Sequence, residues 1–168
     1  MLRLITIASL VALAGCGSQV DHDSAVKVAS SALTGTVAAD GQVVHVDWSG
    51  SAGHVDVALT NPAGMGSAQV TGIVTKSGSS TTETIDVDFS DWTDPLEHVT
   101  LNGTLHEAGT FSAPLPLTGD ATITGALSSS GSVNATVDFD VHGTYAPSGF
   151  AVTGDVGGNS IDVQVGAP

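Results

Sequence analysis

One five-residue arm recurs along this chain, and its period leaves few folds open. The arm has the form apolar-polar-Gly-any-apolar. It appears as Leu33-Thr34-Gly35-Thr36-Val37, Val70-Thr71-Gly72-Ile73-Val74, Leu101-Asn102-Gly103-Thr104-Leu105, Ile123-Thr124-Gly125-Ala126-Leu127 and Val152-Thr153-Gly154-Asp155-Val156. Four of these arms are followed by a second arm with Asp between apolar residues: Val44-His45-Val46-Asp47-Trp48, Ile85-Asp86-Val87-Asp88-Phe89, Val137-Asp138-Phe139-Asp140-Val141 and Ile161-Asp162-Val163-Gln164-Val165. Alternate side chains of a strand point to opposite faces, so each arm carries one apolar face and one wet face. The copies are irregularly spaced, which argues against a solenoid or propeller of fixed period. The expected fold is all-β: an antiparallel meander of repeated hairpins, roughly ten strands, forming a curved sheet, sandwich or half-barrel.

The glycine of each first arm falls on the apolar face. Glycine there removes a side chain and lets a strand bend, which predicts a curved sheet rather than a flat one. Asp40-Gly41 is the residue pair a type I′ turn requires, and it predicts a first hairpin in which Val37 faces Val44, Gly35 faces Val46 and Leu33 faces Trp48. A short helix over Ala25–Leu33, capped by Asp23 or Ser24, or alternatively an entering strand, is expected before it. Ser90–Leu96 reads as a loop holding Trp92. Val99–Leu105 and Phe111–Leu117 read as separate strands, the latter broken or at an edge because of Pro114 and Pro116.

The charge balance is lopsided: 17 Asp and Glu against 3 Lys and Arg. Such a surface repels nucleic acid and anionic lipid headgroups and attracts cations. Aromatic residues make up only 4% of the chain, so the core rests mainly on Val, Ala, Leu and Ile. A single cysteine, Cys16, rules out an internal disulfide and any multi-cysteine metal centre.

The first residues read as a targeting segment. Arg3 supplies a positive start, and Leu4–Leu13 is an apolar run too short to span a bilayer as a mature helix. It ends Leu13-Ala14-Gly15-Cys16. This segment resembles the lipobox of bacterial lipoproteins. The resemblance implies cleavage after Gly15, a diacylglyceryl thioether on Cys16 and acylation of the new amino terminus. Gly17 in place of Asp implies, by resemblance to enterobacterial sorting, delivery to the outer membrane. The expected organisation is a signal peptide over 1–15, a lipidated terminus and tether over 16–24, and one all-β domain over 25–168. Strands of about seven residues are short for a transmembrane barrel, and aromatic girdles are lacking.

Several groupings carry possible chemistry. Asp86, Asp88, Asp91, Asp94 and Glu97 form an acidic run on a strand and the loop after it. Calcium takes six to eight oxygen ligands in flexible geometry, so Asp88, Asp91, Asp94 and Glu97 are the expected ligands if an ion binds. The run lacks the EF-hand order, and a solvated polar face that keeps the strand soluble is the other reading. His45 with Asp47 and His54 with Asp56 lie on single strand faces, a donor set suited to zinc or copper. His98, His106 and His142 show no partnership in sequence. Ser24-Ala25-Val26-Lys27 matches the Ser-x-x-Lys pattern alone, without the companion motifs that give it meaning. There is no nucleophile elbow, phosphate loop or His-Glu-x-x-His. The expected function is therefore a lipid-anchored cell-envelope protein with a non-catalytic binding or structural role, its ligand a protein, glycan or lipid. A carrier of a lipid or other apolar ligand in the curved sheet and a calcium-dependent adhesion module are the alternatives.

Overall fold

The computed structural model describes residues 19–40, 46–61, 65–112, 118–146 and 149–166. A helix, α1 (His22–Asp40), comes first. Nine strands follow: β1 (Asp47–Ser49), β2 (Ala52–Thr60), β3 (Ser67–Ser77), β4 (Ser80–Asp94), β5 (Val99–Ser112), β6 (Thr118–Gly131), β7 (Ala135–Ala146), β8 (Gly149–Val156) and β9 (Asn159–Gly166). They form one sheet in strict sequence order, every neighbouring pair antiparallel, with β1 and β9 as its edges. The expected all-β meander is thus observed as a single open sheet rather than a sandwich.

Three of the expected hairpins form, and their register sets apolar residues of the two arms opposite one another. Val70 faces Val87 and Gly72 faces Ile85 across β3–β4. Leu127 faces Val137 and Gly125 faces Phe139 across β6–β7. Val152 faces Val163 across β8–β9, which turns through Gly157 and Gly158, both with positive φ. Two glycines on the apolar parity have backbone that other residues rarely adopt. Gly125 and Gly154 adopt φ of 143° and 148°, and a Cβ on Gly154 would overlap the Asp140 carbonyl oxygen of the next strand.

The first hairpin does not form, and this is the main departure. Leu33-Thr34-Gly35-Thr36-Val37 lies within α1, which runs well past the expected Ala25–Leu33. Gly41–His45, the expected turn and the start of the return arm, lie outside the described residues. Ala25, Val28, Ala29, Ala32, Leu33 and Thr36 are buried at the i, i+3, i+4 spacing of one helix face. The cap is Asp21 rather than Asp23 or Ser24: its Oδ1 accepts the Ser24 N–H at 2.8 Å. That bond, first among the causes, holds the Asp21 carboxyl below the usual carboxylate range.

The helix packs against β9, β8, β5 and β4. A flat sheet of nine strands would be about 40 Å wide, whereas one helix is only about 10 Å across. Yet Val70, Val87, Leu105, Ile123, Leu127, Val137 and Val152 are all fully buried. The sheet must therefore curl so that its strands cover one another, with α1 filling the concave side. Gly35 lets α1 come close to Phe89 of β4. A Cβ there would lie 2.5 Å from Phe89 Cε1.

Two further differences arise along β4 and β5. The expected loop Ser90–Leu96 is mostly strand: the register slips between Phe89, opposite Gly103, and Trp92, opposite Leu101. One extra residue in β4 makes this a β-bulge, with Asp91 at φ 51°. The bulge shifts the parity by one, so Trp92 points inward, 3% exposed, edge-on to Phe89 at 5.7 Å. Val99–Leu105 and the start of the next expected strand join into one, β5, which continues to Ser112. Pro114 and Pro116 lie outside the described residues.

Candidate functional site

The acidic run lies along β4 and the turn after it, and each of its aspartates has its own partner. Asp86 faces His106 directly across β4–β5, with Nδ1 to Oδ1 at 2.8 Å. Asp88 Oδ1 accepts the Thr104 hydroxyl at 3.1 Å. Asp91, on the bulge, exchanges two bonds with Asn102: its N–H donates to Oδ1 at 2.9 Å, and its own Oδ1 accepts from Nδ2 at 3.2 Å. Asp94 closes the β4–β5 turn by accepting the N–H groups of Leu96 and Glu97 at 2.8 and 3.2 Å. Its other oxygen accepts the Ser31 hydroxyl of α1 at 3.1 Å. Glu97 contributes its backbone carbonyl to Ser132 Oγ at 2.7 Å. Asp88, Asp91, Asp94 and Glu97 are thus spread along the edge of the strand and its turn, and the structure does not bring them around one point. Among the described residues no three His, Cys, Asp or Glu side chains come together to hold a metal ion.

Of the expected His and Asp donors, only His54 and Asp47 are seen opposite each other among the described residues. His54 on β2 faces Asp47 on β1 directly, and both are exposed. Asp56 faces Thr71 and accepts Gln69 Nε2 at 2.6 Å. His45 lies outside the described residues. Sequence gave no partner for His106; the cross-strand register supplies Asp86.

Two acidic residues that sequence reasoning passed over lie inside the sheet. Glu83 on β4 is 5% exposed and Glu107 on β5 is fully buried. Glu83 faces Gly109 and Glu107 faces Ile85, so they are diagonal neighbours on the inner face. Tyr145 of β7 donates its hydroxyl to Glu107 Oε1 at 3.2 Å. Its ring stacks on Phe150 at 4.0 Å and meets Phe111 edge-on at 5.1 Å. Parity carried the signal: Glu83 is in step with Ile85, Val87 and Phe89, and Glu107 with Leu105 and Phe111. This cluster can hold hydrogen-bond donors within an otherwise apolar interior.

On the outer face, β4 to β7 carry rows of short polar side chains. Thr84, Ala108, Thr122 and His142 face one another in sequence across these strands. With Asp120 they line a shallow depression of about 260 Å³. Cys16 and the rest of the lipobox lie outside the described residues. The described chain begins at Gln19, beside the β8–β9 turn: the Gln19 side chain meets Gly158, and Asn159 Nδ2 donates to the Val20 carbonyl at 2.8 Å. No protein family, curated protein or solved structure matches the chain.

Proposed function

We propose that the chain is a lipid-anchored protein of the bacterial cell envelope, delivered to the outer membrane, with a non-catalytic binding or structural role. The observation that carries this reading is Leu13-Ala14-Gly15-Cys16 after a short apolar run. More than one acyl chain is needed for stable anchoring, and the implied modification of Cys16 supplies it. The geometry is compatible. Only two residues separate Cys16 from Gln19, and the chain enters the domain at its surface, so an anchor at Cys16 leaves the sheet intact. The threonine rows and the Asp120–His142 depression of the outer face are the proposed contact surface for a protein or glycan partner.

Mass spectrometry of the native protein is expected to find acylated Cys16 as the first residue, and Cys16→Ser is expected to release the protein from membrane fractions. An unmodified chain starting elsewhere overturns the reading. The carrier alternative is supported by the open, helix-filled curl and its buried Glu83–Glu107–Tyr145 cluster. Native mass spectrometry separates the two, because a carrier retains a co-purifying ligand of defined mass.

A further inference from the structure

A meander gathers alternate turns at one end. The β2–β3, β4–β5, β6–β7 and β8–β9 connections share an end, and the β1–β2 and β3–β4 turns lie at the other. Bonds between neighbouring connections tie the first end together. Thr93 N–H donates to the Met65 carbonyl at 3.1 Å, Ser132 N–H to the His98 carbonyl at 2.8 Å, and Gly157 N–H to the Asp138 carbonyl at 2.9 Å.

The chain enters at this same end. Val20 is bound to Asn159 at the start of β9, and Ser31 to Asp94 at the end of β4. Ser31 lies eleven residues after Val20 along mostly helical chain, so the β4–β5 turn stands about 16 Å along α1 from the entry point. Three residues of extended chain reach at most about 11 Å, which sets how far Cys16 can lie from Gln19. A bilayer holding acyl chains on Cys16 is therefore kept against the end that bears the β4–β5 turn.

Exposed apolar side chains are found there. Leu96, in the β4–β5 turn, is 87% exposed, and Met65, in the β2–β3 connection, is 54% exposed. Their loops touch through the Thr93–Met65 bond. The described turns of the opposite end carry Gly50, Ser51, Gly78 and Ser79, and Trp48 beside them, 39% exposed, has Lys76 Nζ over its ring at 3.8 Å. Singly exposed apolar residues are ordinary. These two differ because they share the end to which the chain's entry brings a lipid surface.

We infer that the end of the sheet bearing the β2–β3 and β4–β5 connections rests on the phospholipid surface, with Leu96 and Met65 as its apolar contacts. The inference rests on the lipid-anchor reading. The acidic residues at this end, Asp94 and Glu97 among them, favour a zwitterionic over an anionic surface. The sheet then stands with its strands rising from the membrane and the Gly78 turn farthest from it.

The lipidated full chain tests this directly. Cys16 is consumed by the anchor, so L96C, M65C and, as control, S79C each offer one free thiol for an environment-sensitive fluorophore. The labelled proteins are bound to phosphatidylcholine vesicles containing nitroxide-bearing lipid. Flotation with the vesicles reports the anchor; quenching reports the orientation. The expected result is flotation of all three, with quenching at L96C and M65C at least threefold stronger than at S79C. Flotation with equal quenching at all sites, or with strongest quenching at S79C, overturns the orientation and leaves the anchor standing. Failure to float, with Cys16 unmodified by mass, overturns both.

Discussion

Gly35 and Phe89 offer a sharp test of how α1 fills the curled sheet. A Cβ at position 35 would lie 2.5 Å from Phe89 Cε1, 3.1 Å from Cζ and 3.3 Å from Trp92 Cε2. The ring cannot move aside freely, because it is 2% exposed and held edge-on by Trp92. Gly35→Ala therefore combines opposing terms. Alanine in a helix interior stabilises by about 1 kcal/mol over glycine. Forcing a methyl group into a packed interior costs about 1–3 kcal/mol. The expected net is a loss of up to about 2 kcal/mol. Phe89→Ala alone is expected to cost about 3–5 kcal/mol, a loss that a domain of ordinary stability can survive. In the Phe89→Ala background the clash is gone, so Gly35→Ala becomes stabilising by about 1 kcal/mol. The double-mutant cycle should show a coupling of about 1–3 kcal/mol. Denaturant unfolding of the four proteins, followed by tryptophan fluorescence, measures it. Additivity within about 0.5 kcal/mol would refute the packing of α1 on β4.

Phe139 is 3% exposed and faces Gly125 and Val156, so Phe139→Ala should cost about 3–5 kcal/mol in the same assay; a loss below about 1 kcal/mol means the inner face is misassigned. Thermal melting in millimolar calcium and magnesium at matched ionic strength should show equal shifts, since the acidic run is spread over separate partners and screening acts on the whole surface; a calcium-selective shift would mean that Asp88, Asp91, Asp94 and Glu97 rearrange to share an ion. The Asp21 carboxyl is depressed by the Ser24 N–H, so its contribution is full above the unfolded-state pKa and is lost as pH falls through the lower folded value. Asp21→Asn keeps a capping oxygen without that titration, so the wild type should lose melting temperature relative to it on acidification; a constant difference across that range sinks the capping assignment.

The strands were legible because alternation is a local property. A residue two along a strand points the same way in any sheet, so Val70, Val87, Leu127, Val137 and Phe139 could be placed on the inner face before any neighbour was known. The last hairpin was legible from its Gly157-Gly158 turn, and the glycines on the apolar parity, Gly125 and Gly154 among them, announced the curvature. The outer-face acids were legible in position but not in partnership, since whether Asp86 meets His106 depends on the register of a strand some twenty residues away. Trp92 was hidden because one bulge residue reverses the parity beyond it. Glu83 and Glu107 were in plain view on the apolar parity, yet that a carboxyl is kept inside depends on Tyr145 reaching from β7. The first arm was the true ambiguity. Leu33, Gly35 and Val37 fit a strand, while Ala25, Val28, Ala29, Ala32, Leu33 and Thr36 fit one side of a helix. Both periods are present in the same residues. The curled sheet has a concave side that a helix face of small residues fills, and burial there decides for the helix.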